Sequence, residues 1–106
     1  MNKTDDQKTS IKNSRHIYNK KYYVYMLECA DGSLYTGYTT DVARRLGEHS
    51  SGKGSKYTRG RCPVTLVHIE AFHTVSEALK RESAIKKLTP EKKRRLINTR
   101  SLLHFF

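Results

Sequence analysis

Cysteine is scarce in this 106-residue chain: Cys29 and Cys62 are its only two. They form no C-x-x-C pair and the five histidines are scattered, which argues against a disulfide framework or a zinc cluster and for two free thiols. No run of 18 apolar residues occurs, so no membrane-spanning helix is expected. Residues 1–20 lack the apolar stretch of a signal peptide, and an intracellular, cytoplasmic location with no membrane partner is the expectation. There is no internal repeat, which argues against a solenoid. Acidic residues are few, 10 against 21 lysines and arginines, giving a formal charge of +11.

The basic surplus is not confined to one end. From residue 22 onward there are 15 basic and 8 acidic side chains, an excess of seven in the part expected to fold. A field of that size favours a polyanion, because each phosphate neutralised releases counterions. A merely soluble surface mixes its signs more evenly. Nucleic acid is therefore the expected partner. The hydrophobic share, 36%, is low but sufficient for the modest core of one domain.

The chain divides into three parts. Residues 1–20 are polar, charged and aperiodic, a composition that cannot offset its ordering entropy and predicts a disordered tail. Residues 21–99 carry the periodic segments of the domain, and 100–106 are a C-terminal extension whose Leu102, Leu103, Phe105 and Phe106 either fold back or fray. Within the domain, Tyr22 to Leu27 is aromatic and apolar and predicts a strand. Asp31-Gly32 marks a hairpin turn and Leu34 to Tyr38 returns as a second strand. Thr40-Asp41 can cap a short helix over Val42 to Ser50. Ser50 to Arg61 is expected as a loop, and Pro63 to Phe72 as a third strand with Pro63 at its start. Thr74-Val75-Ser76-Glu77 is a capping box before a helix whose Val75, Ala78, Leu79, Ile85 and Leu88 recur at helical spacing. Thr89-Pro90 opens another, ending near Asn98. The expected fold is α+β, a small three-stranded, mainly antiparallel sheet flanked by about three helices.

Three groups of residues stand out chemically. Glu82 falls four residues after Ala78 and three before Ile85, on the apolar stripe of its helix. A carboxylate there has to be paired, hydrogen-bonded or metal-bound, and a stripe-edge glutamate paired with a lysine or arginine satisfies that as well as a ligand does. Arg45 and His49 are four apart and share a helix face, compatible with a phosphate clamp beside a proton-moving group, and equally with a solvated flank. Six tyrosines, Tyr22, Tyr23, Tyr25, Tyr35, Tyr38 and Tyr57, crowd one small region, and core aromatics with a wet hydroxyl account for most of them.

In order along the chain, Tyr23-Val24-Tyr25, Tyr35-Thr36-Gly37, Arg45, His49 and Glu82 resemble the GIY-YIG nuclease domain over about residues 22 to 90. With the segment Gly54 to Arg61 before the third strand, the chain looks closest to stand-alone bacterial members, and also like the nuclease domain of the eukaryotic structure-selective endonuclease that cuts branched DNA. Two positions depart from the pattern: Tyr23 stands for the family's first glycine and Thr36 for its second-motif isoleucine, neither of which supplies catalytic chemistry. The resemblance implies metal-dependent hydrolysis of DNA phosphodiester bonds, with branched or single-stranded DNA in repair or recombination as candidate substrate. It implies one Mg²⁺ or Mn²⁺ on Glu82, Arg45 on the scissile phosphate, Tyr35 taking a proton from water, Tyr25 positioning water or phosphate, and His49 supporting that network. Arg44, Lys53, Lys56, Arg59, Arg61, Lys86 and Lys87 are the expected nucleic-acid contacts. A bare domain of this size is expected to need a partner protein for targeting. The alternative is a basic DNA- or RNA-binding module with the same fold and no catalysis.

Two conditions follow. A tyrosine with an ordinary pKa near 10 is only about 0.1% phenolate at neutral pH, so Tyr35 needs a cation close by. Tyr25 and Tyr35 must also share a sheet face. A two-residue Asp31-Gly32 loop separates them, whereas a three-residue loop, expected as Asp31-Gly32-Ser33 with residue 30 opposite 34, unites them.

Overall fold

The computed structural model describes residues 20–97. The expected polar tail, apart from Lys20, and the apolar residues Leu102, Leu103, Phe105 and Phe106 lie outside the described residues. Three strands, β1 (Tyr22–Glu28), β2 (Leu34–Thr39) and β3 (Thr65–Phe72), form one antiparallel sheet in the order β2-β1-β3. Four helices accompany it: α1 (Val42–Ser50), α2 (Lys56–Arg59), α3 (Val75–Lys86) and α4 (Pro90–Ile97). The fold is α+β, as the alternation of strand and helix signals indicates.

The hairpin between β1 and β2 sets which side chains meet. Its loop has three residues, but the frame is Ala30-Asp31-Gly32, with Cys29 opposite Ser33, one residue earlier than expected. Cys29 N donates to Ser33 O (2.9 Å) and Gly32 N to Cys29 O (2.9 Å). The last loop position needs a left-handed backbone, and Gly32 supplies it with φ of 84°. Asp31 then closes the turn by accepting from Ser33 N (3.0 Å) and Ser33 Oγ (2.6 Å). The register moves by two residues relative to the expected pairing, so the faces are unchanged: Tyr25 pairs with Gly37 and Leu27 with Tyr35. Tyr25 and Tyr35 therefore share a face.

Local signals define the helix starts. Asp41 caps α1 by accepting from Arg44 N (3.0 Å), Thr74 caps α3 through Glu77 N (3.1 Å), and Thr89 Oγ1 accepts from Lys92 N (3.2 Å) ahead of Pro90. Two expectations need correction in the middle of the chain. The segment Ser50 to Arg61 is not all loop: Ser55 Oγ accepts from Thr58 N (3.1 Å) and caps the four-residue α2. The third strand begins at Thr65 rather than at Pro63, which follows a cis peptide bond.

On one face of the sheet, Val24 and Met26 pack with Ala78 and Ile85 of α3, bordered by Tyr22, Tyr38, Phe72, Leu96 and Ile97. Each fully buried side chain of this size contributes roughly 1.5–3 kcal/mol. The apolar stripe of α3 is narrower than its sequence suggests. Ala78 and Ile85 are buried and Leu88 half-buried, but Val75 and Leu79 are exposed because the helix meets the sheet along a single line. Arg81 instead reaches β3, where its Nε and Nη2 bind the Glu70 carboxylate at 2.8 and 3.0 Å. His68 Nε2 lies 2.7 Å from the same carboxylate. Burial alone raises the Glu70 pKa, yet the His68 and Arg81 hydrogen bonds overcome it and hold the group at about 2. This network fixes α3, the helix that carries Glu82, against the sheet.

Candidate active site

The other face of the sheet carries Tyr25 and Tyr35, with ring centroids 6.3 Å apart. His49, on the last turn of α1, is fully buried against both, its ring 5.9 Å from Tyr25 and 5.1 Å from Tyr35. Its Nε2 is 2.9 Å from the Tyr25 hydroxyl and its Nδ1 is 2.8 Å from Thr58 Oγ1 of α2. Thr58 in turn meets Ser55 Oγ at 3.0 Å. A chain of hydroxyl, imidazole, hydroxyl, hydroxyl thus runs from buried Tyr25 through His49 and Thr58 to half-buried Ser55, and both imidazole nitrogens are satisfied.

Two glycines make room for this packing. A Cβ at Gly37 would overlap the Tyr25 hydroxyl, and one at Gly54 would overlap the His49 ring. The pairing of Tyr25 with Gly37 explains the first: the phenol lies across its bare cross-strand partner. Behind the ring, Cys62 Sγ donates to His49 O at 3.2 Å.

Arg45 and Glu82 act on the same hydroxyl. Burial pushes the Tyr25 pKa up to about 12, with the neighbouring Tyr35 and Glu82 adding to the effect and Arg45 opposing it. Tyr25 therefore stays protonated at neutral pH. Burial, reinforced by the Arg45 charge and opposed by Glu48, holds the His49 pKa below the usual histidine value, so the ring is neutral. Arg45 is held firmly charged, chiefly by its hydrogen bond to Glu48 (2.8 Å), and it interacts electrostatically with both tyrosines. Arg45 thus lies within electrostatic reach of Tyr35 as well as of Tyr25.

Glu82 is half-buried, its side chain 18% exposed, and Lys86 one turn on approaches it at 3.1 Å. The lysine partner foreseen as the ordinary alternative is therefore present. With its lysine more than half exposed, that pair contributes little on its own. Among the described residues no group of three or more histidine, cysteine or acidic side chains could hold a metal ion. A single carboxylate suits a hard divalent ion that keeps most of its shell as water and phosphate oxygen, and suits zinc poorly.

Residues 21–95 match the family model of the GIY-YIG catalytic domain. A UPF0213 protein of Haloquadratum walsbyi is 63% identical over 78 residues, 74% of this chain and 88% of its own length. The NMR structure of a UPF0213 protein from Bacillus halodurans is 53% identical with a TM-score of 0.51, covering 76% of this chain and 86% of that one. A protein from E. faecalis, also solved by NMR, is 48% identical with a TM-score of 0.54, covering 83% and 91%. The chain belongs to the GIY-YIG family. The relatives it matches are UPF0213 proteins of bacteria and archaea, most of whose length the chain covers. The GIY-YIG family is one of nucleases that generally use a divalent metal, so nucleic acid is the class of substrate. Among the described residues no helix is long and apolar enough to cross a membrane.

The basic residues expected to contact nucleic acid divide into two sets in this GIY-YIG domain. Lys53, Lys56, Arg59 and Lys87 have exposed side chains around α2 and the end of α3. Arg44 is paired with Glu48 (2.9 Å), Lys86 with Glu82, and Arg61 with Asp31 (3.1 Å). Arg61 also donates to Tyr57 O (2.7 Å) and lies over the Tyr57 ring at 4.1 Å, so it braces α2 against the hairpin. Sequence reasoning named Gly37 only as part of the second motif, without its packing role, and missed Thr58 and Gly54. The Ser55-x-x-Thr58 spacing of a capped turn was the available sign for Thr58. Contacts made across strands and loops leave no such sign for the glycines.

Proposed function

We propose that this chain is a metal-dependent endonuclease that hydrolyses DNA phosphodiester bonds, with branched or single-stranded DNA as substrate. The observation that carries the proposal is the Tyr25–His49 hydrogen bond, buried beside Tyr35 and within the fields of Arg45 and Glu82. Aromatic packing alone does not call for an arginine, a neutral histidine and a carboxylate around two phenols.

The division of labour follows from the electrostatics. Tyr25, its pKa pushed up to about 12, acts as a hydrogen-bond donor that positions water or phosphate rather than as a base. Tyr35 takes the proton of the attacking water, assisted by the Arg45 charge. Arg45 stabilises the charge that develops on the phosphate. His49, neutral and bonded on both sides, keeps Tyr25 in place. Glu82 would hold Mg²⁺ or Mn²⁺, which when bound supplies charge stabilisation at the leaving oxygen. Lys86 has to release Glu82 for this, which the exposure of the lysine allows at little cost.

That same Lys86 contact favours one second reading. If the lysine keeps the carboxylate, the domain binds nucleic acid without cutting and depends on a partner protein for any targeting. A panel of linear, single-stranded, flap and junction DNA with Mg²⁺ or Mn²⁺ separates the two. The nuclease reading expects cutting of at least one substrate, abolished in Glu82→Ala while DNA binding is largely kept. Salt-sensitive binding without cutting on every substrate and metal leaves the binding module.

A further inference from the structure

Beyond the tyrosine pair, the hairpin and the start of α4 enclose a cleft of about 240 Å³ bounded by Leu34, Tyr57, Pro90, Lys93 and Arg94. That volume lies below the ~300–1,000 Å³ of drug-sized pockets and suits a single ring system. Its walls combine an exposed phenol, 39% accessible, with an aliphatic floor and two cations. Arg94 is spoken for, donating to Gly32 O and to Glu28 (3.3 Å). Lys93 forms no ion pair or hydrogen bond through its side chain among the described residues.

The aromatic wall is rigid. Arg61 lies over the Tyr57 ring, bonds to the Tyr57 carbonyl and is itself anchored by Asp31. Arg61 does not line the cleft, whereas Tyr57 does. On its inner side Tyr57 meets Tyr35 at 5.9 Å. One aromatic ring therefore separates the cleft from the proposed base.

We propose that this cleft is a nucleotide subsite, in which an unpaired base flanking the scissile phosphate packs on Tyr57 while the adjoining phosphate meets Lys93. An aromatic platform beside cations is the chemistry that holds single-stranded nucleic acid, since every base has a face to stack and every nucleotide a charge. A base inside a duplex is covered by its neighbours and cannot enter such a cleft unless it is flipped out. The location beside the cut rests on the nuclease reading; the binding of an unpaired base does not. The subsite would make the enzyme prefer single-stranded and flap DNA over intact duplex.

The test uses the full chain carrying Glu82→Gln, to prevent cutting, and a single-stranded DNA oligonucleotide with 2-aminopurine placed at successive positions, beside the same label in a blunt duplex. Quenching on binding is expected at a restricted position in the single strand and not in the duplex. Tyr57→Ala should abolish it and weaken single-strand binding roughly tenfold, with duplex affinity unchanged; Tyr57→Phe should retain both. Lys93→Ala should weaken single-strand binding and lower its salt dependence by about one phosphate. Quenching that survives Tyr57→Ala, or equal loss of affinity for both DNA forms, overturns the subsite. Cutting by wild type that is lost with Glu82→Ala alongside unmoved quenching would sink the subsite alone. Cutting indifferent to Glu82→Ala would sink the nuclease reading alone.

Discussion

The two faces of the sheet are buried by different means. Towards α3 and α4, Val24, Met26, Ala78 and Ile85 pack without polar groups of their own, and the Glu70 network sits at the side, tying helix to strand. On the tyrosine face, apolar Leu27 and Ile69 are fully buried beside Tyr25, His49 and Thr58, whose polar groups are met by hydrogen bonds. The first arrangement tolerates exchange of shape for shape, whereas the second has value only if every partner is present. Apolar burial therefore supports both faces, the hydrogen-bonded network lies on one, and Glu82 acts on it from α3, with β1 contributing alternate residues to both.

Four changes test that separation. Tyr35→Phe removes one hydroxyl from the polar face and should lower cutting by about 10²–10⁴-fold with the melting temperature nearly unchanged, read by single-turnover cleavage beside a thermal melt. Comparable activity in wild type and Tyr35→Phe would remove Tyr35 from its role. Met26→Ala should do the converse, costing about 2–5 kcal/mol in denaturant unfolding, while the folded fraction keeps its cleavage rate. Gly37→Ala lies between them: the added methyl meets the Tyr25 hydroxyl and should cost about 1–3 kcal/mol while disturbing the site directly. An unperturbed Tyr25–His49 contact by NMR in that variant would show that the strand, not the phenol, gives way, and would contradict the expected disturbance of the site.

The smallest expected effect concerns pH, where the faces should lose stability in separate windows. His49 has a folded pKa below its ordinary 6.5, so its contribution is present above that value and is lost as pH falls beneath it. Glu70, ordinarily 4.5 and held at about 2, contributes above 4.5 and loses its contribution as pH falls towards 2. Thermal melts across this range should show two declines, the upper removed by His49→Gln and the lower by Glu70→Gln. A single decline unaffected by His49→Gln would contradict the neutral buried imidazole.

Most of the fold was legible because its signals are local. Aromatic strand residues, the Asp31-Gly32 turn, and the caps at Asp41, Thr74 and Thr89 each depend on neighbours a few positions away. Four-residue α2 has too few residues to show a period, and Val75 and Leu79 look like core by spacing while the helix turns them to solvent. At the site, the sequence order suggested Tyr25, Tyr35, Arg45, His49 and Glu82, and the register of β1 with β2 unites the tyrosines. What holds them is not local. Thr58 reaches His49 from another helix, and His68, Glu70 and Arg81 combine a strand alternation with a helix position 11 residues further on. Thr36, at the family's isoleucine position, is buried with its hydroxyl unpaired among the described residues, a cost that sequence spacing does not reveal.

Gly54 gives the polar face one further property. Its backbone lies directly on the His49 ring, and the next residue, Ser55, caps the turn whose Thr58 holds Nδ1. Lys53 and Lys56 flank this short stretch and face solvent. Ring and segment thus pack as one piece, with charged side chains outside and, within, an imidazole bonded to the Tyr25 hydroxyl.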